Sequence, residues 1–145
     1  MSFSGGLVHI IDSFLIPPLS FLNSASSFNL TAAGGAVVNA SIDNYVDTQT
    51  DLTIFVPRND AFQGIGSSLR NISSHELAKI LDYHIVNGSN FVGYSPNLPN
   101  GTVLKSLQGG NLAITFASNS IFVNSARVLQ QDLLLSNGVM HVIDK

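Results

Sequence analysis

The stretch Thr53-Ile54-Phe55-Val56-Pro57-Arg58-Asn59-Asp60-Ala61-Phe62 constrains this chain more than any other part of it. Its first four residues are β-branched or aromatic, types that pack well on a buried, pleated surface. Pro57 lacks the amide that a sheet ladder needs, so the strand stops there. Asn59 or Asp60 then offers a side-chain oxygen to cap a helix, and Ala61 and Phe62 open that helix's apolar face. The local reading is a buried strand that turns sharply into a short helix.

Size and charge set the frame around it. A chain of 145 residues makes one domain with a core large enough to need no staples. An apolar fraction of 45% opposes disorder, and no run of about 18 apolar residues suggests a membrane span. Charged residues are only 10% of the chain, far below the usual share of about a quarter. A net charge of -3 provides no basic surface, so nucleic acid is not expected as a partner. Cysteine is absent, which excludes disulfides and cysteine-based metal sites or nucleophiles.

Absence of cysteine leans towards the cytosol, but the asparagines point outward. Asn29, Asn39, Asn71, Asn87 and Asn100 each begin an Asn-x-Ser/Thr acceptor. The chain has 14 Asn and 25 Ser or Thr, for which chance gives about two or three such triplets. Five is an enrichment, and it favours a glycosylated, secreted protein. Met1–Gly6 has no basic region followed by an apolar core. The targeting segment of a secreted parent is therefore expected ahead of this stretch.

Two further stretches complete a pattern: Tyr83-His84 at a predicted helix end, and Asn137-Gly138-Val139-Met140-His141-Val142-Ile143-Asp144. In order and spacing, these and Thr53–Phe62 resemble the three signatures of the fasciclin-type (FAS1) domain, over residues 19–145. Val56 stands where that family usually has alanine. The resemblance implies an α+β fold, a wedge-like β-sandwich of short strands with several helices at one end. It also implies a secreted or surface-anchored adhesion and matrix module, not an enzyme.

Gly6-Leu7-Val8-His9-Ile10-Ile11-Asp12 repeats Gly138–Asp144, with Gly, His, the last Ile and Asp identical in register. Such a repeat suggests a tandem array. Residues 1–18, ending in Ser13-Phe14-Leu15-Ile16-Pro17-Pro18, are read as the last strand of a preceding FAS1 unit, and 19–145 as the domain itself. Two similar strands then compete for one slot in the sheet, and the loser exposes open ladder amides. A homodimer through the N-terminal strand is one consequence.

From Leu19 to Val46, apolar residues recur at helical spacing with Gly and Asn/Ser interruptions, predicting two or three short helices. Ser73 and Glu76 have capping-box spacing ahead of a helix over about 74–83. Strands are expected at 84–86, 102–107, 111–117, 120–124 and 139–143, with tight connections at Gly109-Gly110 and Asn119-Ser120. Arg127–Leu135 reads as strand, turn and strand. Helices first and short strands later suit an α+β domain.

The chemistry-bearing residues are sparse. No His spacing fits a metal pair, and no serine elbow, phosphate-cradling loop or clustered carboxylate pair occurs. No metal, cofactor or catalytic residue is assigned. His9 and His141, among apolar neighbours, read as structural imidazoles bonding a backbone carbonyl or a nearby side chain, and His75 as exposed. Tyr83 and His84 are the candidate adhesion motif, because the family resemblance links that region to receptor binding. The competing reading keeps His84 buried, fixing the turn by a hydrogen bond, with Tyr83 packed on the core. No Arg-Gly-Asp occurs, and a glycan on Asn87 would crowd His84. The expected partners are a cell-surface receptor, matrix protein or wall polysaccharide, and a neighbouring FAS1 unit of the same parent. That parent would be secreted or held at the cell surface, including by a membrane anchor. The mechanism is weak contacts multiplied by tandem repetition. A glycosylated spacer without a ligand, and a small-molecule carrier or enzyme, stay open as alternatives. An exposed apolar patch near Tyr83 and Phe91 would favour direct recognition.

Overall fold

The computed structural model describes residues 2–12, 17–88 and 91–145. After a two-residue pairing of β1 (Ser2–Phe3) with β2 (Gly6–Leu7), three short helices follow: α1 (Phe21–Ser27), α2 (Thr31–Asn39) and α3 (Asp43–Thr48). Strand β3 (Leu52–Pro57) leads into α4 (Asn59–Gly64), α5 (Gly66–Leu69) and α6 (Ser74–Asp82). Strands β4 (Ile85–Asn87), β5 (Val103–Lys105), β6 (Asn111–Ala117), β7 (Ser120–Val123), β8 (Ala126–Leu135) and β9 (Gly138–Ile143) complete the chain. This is the expected α+β architecture.

One seven-stranded sheet runs in the order β4-β3-β9-β8-β7-β6-β5. Its central pair, β3 with β9, is parallel and in register from Leu52↔Gly138 to Pro57↔Ile143. All other pairs in it are antiparallel. Beyond β5 the chain curls back to β4, where the Leu107 amide donates to the Ile85 carbonyl at 2.7 Å. The sheet is thereby wrapped towards a barrel, and its open edges are partly covered.

Alternation along β3 and β9 divides the interior in two. Leu52, Ile54, Val56, Met140 and Val142 pack against Phe21, Val37, Val46, Leu77 and Leu81 of the helices. Phe55 and Ile143 face the other way, joining Val86, Leu98, Leu112, Ile114 and Val123 inside the curved sheet. Both strands are covered on two faces, which is why their sequences are almost wholly apolar.

Several local expectations change. Neither Asn59 nor Asp60 caps α4. Arg58 occupies the cap position without a side-chain cap bond, and pairs with Asp60. Asn59 reaches across to α2 instead: its Oδ1 accepts from the Ala32 amide at 3.0 Å, and its Nδ2 donates to the Asn29 carbonyl at 2.8 Å. Asp47 likewise serves the start of α1, accepting from the Phe21 amide at 3.1 Å. These helices meet their free N-terminal amides with side chains from distant elements.

The stretch read as strand, turn and strand is one strand, β8, with register shifts between Val128 and Leu133 and Asp132 at φ 59°. The bulge continues pairing with β9 on both sides, so no turn is needed. The β6–β7 turn lies at Ser118-Asn119, one residue earlier than expected, with both residues at positive φ (49° and 59°). That conformation matches the twist of a two-residue hairpin. Pro57 belongs to β3 as its last paired residue. The slot for the repeated strand is filled by β9, whereas Val8–Ile11 lie exposed outside the sheet. His9, read as a structural imidazole on the repeated strand, is exposed there and outside any strand. Residues 13–16, part of the stretch assigned to a preceding unit, lie outside the described residues, as does Ser89 of the Asn87 triplet.

Candidate functional site

Helix α6 delivers Tyr83 and His84, and its start is fixed locally. The Ser73 hydroxyl accepts from the Glu76 amide at 3.2 Å, while a Glu76 carboxylate oxygen accepts from the Ser73 amide at 2.9 Å. Donation to that carboxylate by the Ser73 amide, and by the Ser73 hydroxyl at 3.0 Å, holds the Glu76 carboxyl below its ordinary pKa. Leu77 and Leu81 anchor the helix to the core. At the far end, the His84 amide donates to the Leu81 carbonyl at 2.8 Å and the His84 carbonyl accepts from the Phe55 amide at 2.9 Å. The chain thus passes from helix to strand at one residue.

The two side chains take up different tasks. His84 Nδ1 lies 2.8 Å from the Ile80 carbonyl, so that nitrogen carries the proton and donates back into the last turn. Burial lowers the ring's pKa against a smaller opposing effect of this bond, and the ring is neutral at neutral pH. Tyr83 leans the other way, over the curved sheet: its hydroxyl accepts from Asn124 Nδ2 at 2.8 Å and donates to the Asn111 carbonyl at 3.3 Å. Its ring covers Gly110, where an added Cβ would come within 2.5 Å of it. The rings meet edge to face at 6.0 Å. Both residues are half-buried, and Phe91 is half-buried with Tyr83 against the inner core. Tyr83 and Phe91 are therefore packed on the core rather than standing free, and Tyr83 and His84 border a depression of about 270 Å³ with Leu112, Val123 and Ala126.

A more apolar depression lies on the other side of His84. Phe62, Ile65 and Leu69 from α4–α5, with Leu77 and Ile80 from α6, line an open groove of about 280 Å³ that His84 and Lys145 border. Sequence reasoning missed it. Its signal was the spacing of Phe62, Ile65 and Leu69 on one helical face.

His141 is fully buried and does bond a backbone carbonyl. Nε2 donates to the Gly93 carbonyl at 2.7 Å, Nδ1 accepts from the Asp132 amide at 3.2 Å, and the ring stacks on Phe55 at 5.4 Å. Burial again lowers the pKa, opposed by the Gly93 bond and the Asp132 charge. Thr53 Oγ1 accepts from the Gly93 amide at 2.7 Å, and the Asp132 carboxylate accepts from the Ser95 amide at 2.7 Å and from its hydroxyl. This network pins the 91–97 segment to the sheet. Its groups are consumed by one another, an arrangement for holding a loop.

The five acceptor asparagines are all exposed. Asn100 uses Oδ1, accepting from the Phe116 amide at 2.9 Å, an atom that glycosylation at nitrogen leaves intact. Asn87 donates from Nδ2 to the Tyr45 hydroxyl at 3.2 Å, for which a glycosylated amide keeps one hydrogen. His75 is exposed, as expected. Among the described residues, no three His, Cys, Asp or Glu come together to hold a metal ion. No described helix is long and apolar enough to cross a membrane.

A family model described as the fasciclin domain matches residues 28–145. A fasciclin-like arabinogalactan protein of Arthroderma benhamiae is 38% identical over 138 residues, covering 95% of this chain and 32% of that protein. Human periostin is 35% identical over 100 residues, covering 66% of this chain and 12% of that protein. The chain thus spans a third or less of the length of these relatives. A solved FAS1 domain pair from the insect cell adhesion molecule fasciclin I matches with a TM-score of 0.70 at 20% identity. That match covers 99% of this chain and 56% of the pair, and establishes a common fold.

Proposed function

Because the chain belongs to the fasciclin domain family, we propose that it serves as an extracellular adhesion module acting through weak contacts multiplied along a parent protein. The observation that carries this reading is the family match over residues 28–145, which spans every element from α2 to β9. Two facts support it. The matched solved domain pair comes from an insect cell adhesion molecule, and a matched relative is a fasciclin-like arabinogalactan protein. Five exposed acceptor asparagines fit a protein displayed outside the cell. Linked modules raise effective concentration, so weak single contacts suffice for firm attachment.

Tyr83 and His84 hold this surface in shape. The Tyr83 hydroxyl bonds to Asn111 and Asn124 and His84 Nδ1 to Ile80, so capture of a partner through these atoms would require those bonds to open. Contacts to a receptor, matrix protein or wall polysaccharide then come from the exposed neighbours and the glycans. The test is attachment of the source organism's cells to surfaces coated with the folded glycoprotein and with an enzymatically deglycosylated sample, with melting curves for both. Attachment in both places recognition on the polypeptide, and attachment lost with the sugars makes the glycans the ligand. No attachment in either refutes adhesion by the single domain and leaves a spacer.

A further inference from the structure

Phe28 and Asn29 just past α1, Arg58 and Asp60 around the start of α4, and Leu129 and Gln130 of β8 line a depression of about 400 Å³. That volume lies within the range of about 300–1,000 Å³ typical of small-ligand sites. Its lining is mixed. Phe28 is 43% exposed and Leu129 40%, so both present apolar surface to water. Arg58 pairs with Asp60 through Nε and Nη2, which leaves Nη1 hydrogens to donate and carboxylate lone pairs to accept. The Gln130 side-chain amide has no hydrogen-bond partner among the described residues.

Asn29 differs from the other four acceptor asparagines in how it is held. It alone among the five has a positive φ, 58°. Its amide donates to the Ser26 carbonyl at 3.1 Å, and the Leu30 amide donates to the Ala25 carbonyl at 2.7 Å. These two bonds close α1 as a Schellman motif with Asn29 in the left-handed position. The Asn29 carbonyl in turn accepts from Asn59 Nδ2 at 2.8 Å. Its backbone is thus fixed through both amide and carbonyl, while its side-chain amide has no partner among the described residues. A group attached to that amide would start from a rigid stem at the depression's edge, with less freedom to lose on docking.

We propose that this depression seats the first N-acetylhexosamine of a glycan carried on Asn29. Such a sugar has an apolar face of C–H groups and a polar rim of hydroxyls with one acetamide. The face would cover Phe28 and Leu129, and the rim would bond to Arg58, Asp60 and Gln130. Covalent attachment makes the contact intramolecular, so individually weak bonds suffice to hold it. The inference rests on the glycosylated, extracellular reading above but needs no adhesive contact. Sugars found on the other acceptors with Asn29 bare would overturn it and leave that reading standing.

The test compares protein glycosylated in a eukaryotic host and trimmed enzymatically to one sugar per site with sugar-free protein from a bacterial host. Peptide mass spectrometry reads occupancy at Asn29. Thr31→Ala removes the acceptor triplet at an exposed position without altering Asn29, and its sugar-free form should melt within about 2 °C of the parent. In the trimmed form, the parent is expected to melt about 4 °C above Thr31→Ala, the gain from one seated sugar. Gln130→Ala and Phe28→Ala should each at least halve that gain. The gain is read within each variant, with and without Thr31→Ala, so the cost of the substitution itself cancels. Gln130→Ala keeps the comparison if Phe28→Ala does not fold. An unoccupied Asn29, or a trimmed parent that melts with Thr31→Ala, would overturn the proposal. So would a gain indifferent to both substitutions, which would mean that the sugar acts on the unfolded chain.

Discussion

Replacing His141 by phenylalanine separates hydrogen bonding from packing at the centre of the domain. The new ring preserves the stack on Phe55 and most of the buried volume, so the packing change is small. What disappears is the Nε2 donor to Gly93 and the Nδ1 acceptor for Asp132. The Gly93 carbonyl is buried and costs about 2 kcal/mol when orphaned, while the half-buried Asp132 amide costs about 1 kcal/mol. The sum of about 3 kcal/mol corresponds to a fall in Tm of roughly 10 °C for a domain of this size. The pH dependence supplies a second readout. Burial depresses the folded-state pKa of His141, so the unfolded chain accepts a proton that the folded ring resists. The contribution is fully present above about pH 6.5, the unfolded value. It is lost as pH falls from there through the folded pKa, with a slope of at most about 1.4 kcal/mol per pH unit. His84 shifts in the same direction and persists in the variant, so His141→Phe should flatten the profile without levelling it. Urea melts of both proteins between about pH 7 and 5.5 measure both effects. The reasoning is refuted by a variant that melts within about 2 °C of the parent, or one whose stability falls as steeply with acid.

Gly138→Ala should be the more damaging change in the same strand. A Cβ there would sit 2.0 Å from the Leu52 carbonyl oxygen, and forcing β3 and β9 apart is expected to cost about 3 kcal/mol or more in chemical denaturation. Asn59→Ala removes a side chain that bonds Ala32 and Asn29; a loss of about 1–2 kcal/mol is expected, with faster amide exchange in the first turn of α2 although the mutation lies in α4. Tyr83→Phe removes the bonds to Asn124 and Asn111 and should lower stability by about 1 kcal/mol. Cell attachment by the folded variant should be unchanged, and a tenfold loss at equal stability would make the hydroxyl a contact.

Ser73 and Glu76 were legible as a capping box because each partner lies within one turn of the other. The buried strand at Thr53 and the helix ending in Tyr83-His84 were legible for a similar reason: alternation, helical spacing and β-branching act along the chain. His141 could be recognised as a structural imidazole from its apolar neighbours. Nothing beside it in sequence named Gly93 or Asp132 as the bonding partners, since the first lies 48 residues away and the second depends on a bulge in β8.

What the amino-acid order determined by itself was therefore local: which segments are strands or helices, where α6 begins, which asparagines carry an acceptor triplet, and the absence of cysteine chemistry. The tertiary structure decided the rest. Asn59, read with Asp60 as a candidate cap of its own helix, serves α2 because α2 begins beside it, 27 residues distant in the chain. The apolar residues of α4, α5 and α6 become a groove only when parallel pairing of β3 with β9 brings Lys145 beside them. Short-range bonds are specified by spacing along the backbone. Long-range caps, loop anchors and clefts form only after topology has placed distant segments side by side, and no local pattern encodes that placement.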